Sequence, residues 1–407
     1  MLALFLVACT LPTPGKSDVP GGPSYYADVK PILDANCVNC HVDGGVAPFP
    51  LVSWEQVEPM KAQIADAVAT RRMPPWLAAP GCTDYRDDLS LTEAEIAAVT
   101  GWAETGGDEG DPDDDPRVAP EQDRTLSRVD VSMSMRSAYT PVQSPDDYRC
   151  FLFDWPETES TFITGFRPVP GNTQVVHHVV AYLSPPEQAD AYELLDAAEE
   201  GEGYTCFGGP GVGAQEDAQW LGGWAPGGAS GDFPNGTGIA IEPGSKIVLQ
   251  VHYNTDTVEP APDLTQLDVM ISDEVESPAM IQPWANPLWL DTEVMEIPPN
   301  STDTVHGFTY EMWQPFQIHT ANLHMHTRGT SARLWIDRVD GTQDCMLDIP
   351  RWDFGWQRTY VFAEPKQIEV GDSIHVECHW DNPTDTPIYW GEGTGDEMCL
   401  GTMLFSY

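Results

Sequence analysis

Five histidines and one methionine, spread over the last two-thirds of the chain, constrain the fold more than any other feature. They are His177 and His178, then His252, then His324 and His326, then Met398, in groups roughly seventy to seventy-five residues apart. The chain has only ten histidines, so half of them fall in this series. Groups so distant can share one chemistry only if elements far apart in sequence are brought side by side. His324-Met325-His326 adds a local constraint, because alternation along a strand puts both imidazoles on one side. His177 and His178 are adjacent, so both reach one ion only if their strand is twisted, bulged or ending there. Taken singly, each histidine is best explained as a satisfied core or surface residue. The series as a whole is best explained as metal ligation, with His252 completing a three-nitrogen set. Two imidazoles with the Met398 thioether make a soft set that suits copper cycling through Cu(I) better than zinc. His306, His319, His375 and His379 keep ordinary structural roles.

A second signal stands apart near the N-terminus. Cys37-Val38-Asn39-Cys40-His41 is the attachment motif for a c-type haem, in which two thiols add to the vinyl groups and His41 is the proximal iron ligand. A zinc site or a disulfide is the competing explanation, but no second cysteine pair lies nearby. Met73, in Arg72-Met73-Pro74-Pro75-Trp76, follows a predicted helix on a stiff proline turn and is the expected distal ligand, which would raise the reduction potential. Met60, inside an amphipathic helix, is the runner-up. A haem iron beside a separate histidine/methionine set points to redox chemistry.

The 407 residues leave room for two or three domains. Residues 1–9 resemble the end of a bacterial lipoprotein signal, with Leu6-Val7-Ala8-Cys9 as the cleavage and lipidation site. The usual positive region is missing and the apolar core is short, which leaves the true start open. An ordinary cleaved signal peptide is the alternative, and either implies export: a periplasmic or outer-membrane-anchored lipoprotein of a Gram-negative bacterium. Residues 1–23 are therefore expected to be signal and tether. Residues 24–107 have helical periodicity, with helices expected over Tyr25–Ala35, Trp54–Arg72 and from a capping-box start within Ser90-Leu91-Thr92-Glu93-Ala94-Glu95 to Trp102. Three helices around a haem motif make a small all-α cytochrome c-like domain. Residues 108–128 read as an acidic linker. Beyond them, short strand-like runs such as Thr161–Thr164, Val175–Leu183, Lys246–Tyr253, Ala332–Ile336 and Ile374–Trp380 alternate with Gly/Pro/Asn/Asp clusters, as in all-β sandwiches. A boundary near Val258-Glu259-Pro260-Ala261-Pro262 divides this part into domains at 129–262 and 263–407. The formal net charge of −45, from 64 acids against 19 bases, would repel nucleic acid and anionic membranes. It fits solubility in a salty habitat or docking of a cationic redox partner. With Cys9 lipidated and Cys37 and Cys40 on haem, the six cysteines that remain are an even number, as disulfides in an oxidising compartment require.

At the ligand residues a resemblance becomes specific. Val176-His177-His178-Val179-Val180, Trp224-Ala225-Pro226-Gly227, Leu249-Gln250-Val251-His252-Tyr253, Leu323-His324-Met325-His326-Thr327-Arg328-Gly329 and Asp396-Glu397-Met398-Cys399 resemble, in order, the signature segments of the copper type II, ascorbate-dependent monooxygenases. That family contains dopamine β-monooxygenase and the peptidylglycine α-hydroxylating enzyme. The N-terminal third instead resembles small cytochrome modules fused to such domains in some bacteria. The resemblance implies two coppers on two jelly-roll-like domains facing one another across solvent. His177, His178 and His252 would hold the electron-transfer copper. His324, His326 and Met398 would hold the copper that binds dioxygen and hydroxylates a substrate C–H bond. It also implies a disulfide between Cys378 and Cys399, fixing the Met398 loop. Cys150 with Cys206 is a weaker guess, and Cys82 and Cys345 have no physical basis for pairing. Gln250 would lie near the electron-transfer site, although a lone strand glutamine is more often structural.

Departures from the pattern narrow the substrate. The peptide-amidating enzymes place an arginine two residues before the HxH pair, where this chain has Asn322. Their tyrosine four residues after the ligand methionine is Thr402 here, and their asparagine two residues after it is Leu400. The carboxylate-binding set is missing, which argues against peptide amidation. The expected function is an exported monooxygenase using two coppers, dioxygen and a small organic substrate, with electrons from an ascorbate-like reductant, a cationic redox protein or the fused haem c. The alternative is a copper- and haem-containing electron-transfer or copper-binding protein without oxygenase activity.

Overall fold

The computed structural model describes residues 22–43, 47–86, 88–117, 126–207, 209–213, 219–224, 231–256, 258–291 and 293–407. Cys9 and its signal-like segment, and Ala225–Gly227 of the Trp224 motif, lie outside them. The chain forms two compact units. One gathers Phe49–Pro74 and Leu91–Glu121 with the segment up to Asp43, and the other gathers Pro75–Ser90 with Gln122–Tyr407.

The first unit is helical. A single π-turn, Tyr25–Val29, leads into the helix Lys30–Asn36, where Pro31 sits in the first turn and its missing N–H costs nothing. The region expected to be one helix from Trp54 to Arg72 is instead Trp54–Val57, a 3₁₀ turn Glu58–Met60 and Lys61–Ala69. Pro59 is the cause, since a helix interior cannot accept its ring and absent donor. Glu93–Glu104 begins with the capping box, Glu95 N–H donating to Thr92 Oγ1 (3.2 Å) and Thr92 N–H to Glu95 Oε2 (2.8 Å). Tyr25, Leu33, Val57, Val68, Val99 and Trp102 form the buried core. The start of the acidic run closes on this unit, with Asp108 O accepting from Trp102 Nε1 (2.9 Å) and Tyr25 N–H (2.8 Å).

The second unit is built of β-sandwich sheets. Strands Asp146–Asp154, Lys246–Asn254, Val176–Ser184 and Gln219–Trp224 pair in that spatial order. The sheet continues into Ser277–Trp284, Leu400–Ser406, Phe316–His324 and Tyr360–Ile368. Among the described residues its two halves are joined by the pair Ile281↔Trp220 and by Ser277 and Pro278 against Thr237 and Gly238. A separate four-stranded sheet, Ser301–Glu311, Ser373–Asn382, Gly329–Asp337 and Gln343–Ile349, packs over the later half. Lys246–Asn254 is covered on both faces. Ile247, Leu249, Val251 and Tyr253 fill the core of the earlier half, so alternation turns Val248, Gln250 and His252 to the opposite face.

Three disulfides tie this unit. Cys378–Cys399 and Cys150–Cys206 are both present, and Cys82 pairs with Cys345. This last bridge explains why residues 75–90 belong with the strands although they follow the helices in sequence. Tyr85 Oη donates to Met346 O (2.8 Å) and Ala79 N–H to Asp348 O (2.7 Å) beside the bridge.

Candidate metal centres

His178 and His252 face each other across paired strands, and a bulge brings in the third imidazole. Val176 pairs with Tyr253 and His178 with His252, so His177 is the extra residue of a β-bulge. The bulge removes the objection that adjacent strand residues point opposite ways. One ring nitrogen from each of His177, His178 and His252 lies within 4.8 Å of the others. Nδ1 of His178 is 3.3 Å from Nδ1 of His177 and 3.2 Å from Nδ1 of His252. Lone pairs so close repel unless a proton or a cation sits among them.

The outer atoms are fixed as well. His252 Nε2–H donates to Asp146 Oδ1 (2.9 Å), which leaves Nδ1 as the free lone pair, the carboxylate–histidine support usual around metal sites. That hydrogen bond holds the Asp146 carboxyl below its usual range. Tyr148 stacks on His252 with centroids 4.2 Å apart. Burial, then the His252 neighbour, lowers the His177 pKa to about 4, and the same causes hold His178 well below its ordinary value. Both rings are therefore neutral at pH 7, the form that ligates a metal.

The second set is assembled at strand ends. His324 closes the strand Phe316–His324 opposite Leu400, and Met398 lies two residues before Leu400, buried with 4% exposure. His324 Nδ1–H donates to Gln357 Oε1, and His326 Nδ1–H donates to Asp396 O (3.0 Å). Each bond leaves Nε2 as the donor atom of the ring. Burial, then His326, lowers the His324 pKa to about 3, and burial also lowers His326. Glu397 has no exposed surface and accepts from His326 N–H (2.9 Å), Arg328 N–H (2.5 Å) and Trp380 Nε1 (2.9 Å). It binds the HxH segment to the segment carrying Met398, and Cys378–Cys399 anchors the same place to the facing sheet. Two neutral imidazoles and a buried thioether fit a soft ion such as Cu(I).

The loop before Tyr360 touches both sets. Phe354 stacks on His177 (centroids 5.4 Å apart) and meets His326 edge-on (6.0 Å). From the same loop Trp352 Nε1 donates to His326 O (3.0 Å) and Gln357 receives His324. A cavity of about 480 Å³ is bordered by His178 on one side and by His324, His326 and Met398 on another. Another cavity, of about 490 Å³, is lined by Arg128, Asp232, Glu274 and Glu276 and includes none of these ligands.

Asp146, Phe354, Gln357 and Glu397 were missed as site residues by sequence reasoning. Asp146 and Gln357 contact histidines 106 and 33 positions away, and nothing local marks either. Glu397 had a signal, since it stands beside the ligand methionine in a quoted motif. Gln250 is structural, its Nε2 donating to Cys206 O (2.7 Å). His319 donates to or accepts from Ser406 Oγ (2.7 Å), and His379 meets Asp303 Oδ1 (2.7 Å), both away from the ligand sets.

In the helical unit, His41 Nδ1–H donates to Phe49 O (3.0 Å), which leaves Nε2 as its free lone pair. Cys37 and Cys40 stand outside the three disulfides, and burial pushes the Cys37 thiol up to about 12. Met73 follows the helix Lys61–Ala69, its N–H donating to Ala67 O (3.1 Å). Cysteine pair, proximal histidine and following methionine fit a c-type haem in donor chemistry.

A β-sandwich that brings His178 of one candidate ligand set and His324, His326 and Met398 of the other to one cavity has the make-up of a metalloprotein. Residues 131–259 match the family model "Copper type II ascorbate-dependent monooxygenase, N-terminal domain", and residues 288–406 match the C-terminal domain of the same family. Together they take in more than half of the chain, which belongs to the copper type II ascorbate-dependent monooxygenase family. DBH-like monooxygenase protein 1 of Gallus gallus is 23% identical over 359 residues, covering 78% of this chain and 55% of its own. DBH-like monooxygenase protein 2 of Mus musculus is 25% identical over 361 residues, covering 78% and 54%. The chain thus spans about half the length of the curated relatives it matches. Among solved structures, PNGF-II aligns over 70% of this chain and 64% of its own at 9% identity, with a TM-score of 0.24, too low to indicate a shared fold.

Proposed function

We propose that the chain is an exported copper-dependent monooxygenase that hydroxylates a C–H bond of a small organic substrate. The observation that carries this reading is that one cavity is bordered by His178 of the first set and by His324, His326 and Met398 of the second. His177, His178 and His252 would hold the electron-transfer copper through Nδ1. His324 and His326, through Nε2, and Met398, through sulfur, would hold the copper of the oxygen chemistry. When bound, these ions supply one-electron transfer and dioxygen activation, and the net reaction joins substrate, dioxygen, two electrons and two protons into hydroxylated product and water. Asp146, Gln357 and the Asp396 carbonyl hold the ring protons of His252, His324 and His326, so each of these three imidazoles keeps its other nitrogen as a lone pair. Trp220, Trp284 and Trp390 border the cavity, and their apolar faces exclude water from the reacting C–H bond.

Residues 24–107, without the 75–90 segment that packs with the strands, would form a cytochrome c-like domain with haem on Cys37, Cys40 and His41 and with Met73 as distal ligand. This domain would supply electrons in place of part of an ascorbate-like reductant or a cationic redox protein. Residues 129–262 and 263–407 would each carry one copper, and Cys9 would carry a lipid anchor. The three disulfides fit the oxidising compartment this requires.

Turnover under isotopically labelled dioxygen tests the oxygenase reading, with one labelled atom expected in the organic product. Copper-loaded protein that consumes reductant without labelling any product would instead be an electron-transfer protein. Stopped-flow spectroscopy of the reduced protein tests the haem role. Oxidation of the haem band during turnover is expected, and a haem that stays reduced while product forms would overturn that part.

A further inference from the structure

Two residues that border the cavity, Arg358 and Trp284, carry enclosed donors with nothing to donate to. Arg358 is 7% exposed, and among the described residues its Nε and Nη1 have no hydrogen-bond partner. Trp284, 8% exposed and also bordering the cavity, has an unpartnered Nε1. Buried donors in folded proteins are nearly always matched, and an unmatched buried cation is the costliest exception. Aromatic faces lie against the guanidinium, with the Trp76 and Tyr360 ring centroids 4.7 Å and 5.7 Å from its carbon. Nε and Nη1 are enclosed, so a ligand would meet the group first at Nη2, which shares an edge with each of them, and such an edge matches a planar carboxylate with two parallel hydrogen bonds.

The surroundings hold Arg358 in place. Its carbonyl accepts from Asn322 Nδ2 (2.7 Å), and its neighbour Gln357 receives His324. The arginine is therefore one residue from a group that touches a candidate oxygen-site ligand. The rest of the wall is largely apolar, including Trp220, Phe308, Trp390 and Leu290.

We infer that the substrate is a small carboxylate with an apolar, aromatic-sized body, anchored by Arg358. The acid pairs with the guanidinium, and the body lies among the indole rings with a C–H bond toward His324, His326 and Met398. The inference rests on this cavity being the substrate site of the proposed function. It differs from peptide-carboxylate recognition through the position before the HxH pair, which is Asn322 here. The net charge of −45 opposes it only at long range, because salt screens the surface field within about 8 Å at physiological ionic strength.

Calorimetry on the full copper-loaded chain without oxygen, using 3-phenylpropanoate and its neutral amide, tests the assignment. We expect the acid to bind at least about tenfold tighter than the amide. Arg358→Gln should bring the two within about twofold by weakening the acid alone, and Arg358→Lys should keep part of the preference. Equal binding of acid and amide by the native chain, or binding of neither, would overturn the inference. So would a preference that survives in Arg358→Gln, which would place the carboxylate on metal instead. Should that variant fail to fold, Arg358→Lys decides: a reduced preference for the acid supports the anchor, and an unchanged one overturns it. Copper analysis of the same samples keeps the two readings apart. Acid preference in a chain that binds no copper at His324, His326 and Met398 would sink the oxygenase reading and leave the anchor standing.

Discussion

His178 and His252 come together because their strands do, and the bulge at His177 adds a third ring without any loop. His324, His326 and Met398 have no ladder that includes all three. His324 ends a strand, His326 lies just past it, and Met398 precedes the paired strand. What brings these three together is a buried carboxylate, a disulfide and a loop: Glu397, Cys378–Cys399 and Gln357. The ring nitrogens left to a metal would differ too, Nδ1 of His252 in the first set and Nε2 of His324 and His326 in the second. A ladder makes a rigid cage suited to passing electrons with little rearrangement. A set held by tethers can be soft, mixed and partly open, as substrate and dioxygen chemistry requires. The difference teaches that pre-organisation has two sources in one sheet, strand register on one side and cross-links on the other.

The sharpest way to break the comparison is to remove one ligand from each set. Met398→Ala should lower product formation beyond the roughly 10–100-fold that loss of a supporting group costs, while copper at the three-histidine set remains. His252→Ala should do the reverse to metal content, and metal analysis with a product assay reads both. Replacing Cys378 and Cys399 by serine should cost about 2–5 kcal/mol in denaturant unfolding and loosen copper at the Met398 set alone. Equal loss at both sets would mean that the tether is not local. Asp146→Asn should weaken copper at the three-histidine set by about 10–100-fold, measured by competition with a chelator, with the Met398 set unaffected.

Acid should act on the metal-free protein through the same rings. His177 and His324 have folded pKa values of about 4 and about 3, below the unfolded value of about 6.5. The unfolded chain therefore binds more protons between those limits, and stability present above pH ~6.5 is lost as pH falls toward 4 and below. Thermal melting across that window should show a falling midpoint, and His177→Gln together with His324→Gln should flatten it.

Sequence reasoning reached the strands through alternation and the histidines through their regular recurrence. It also stated the condition His177 and His178 had to meet, a twist, a bulge or a strand end, without being able to say which. The break at Pro59 was equally open to inspection but lost within a longer apolar periodicity. The partners were harder, because Asp146, Gln357 and Arg358 are ordinary polar residues until strand pairing places them beside a ring or a cavity. Cys82–Cys345 was illegible for the same reason: nothing near Cys82 says that its segment leaves the helices to pack on Gln343–Ile349.

Copper X-ray absorption on the fully reduced protein tests the two-centre account most directly. It predicts two coppers per chain with, on average, half a sulfur neighbour per copper, and in Met398→Ala the sulfur signal should vanish while a histidine-only copper persists. A single copper per chain, or a sulfur signal that survives the substitution, would contradict it.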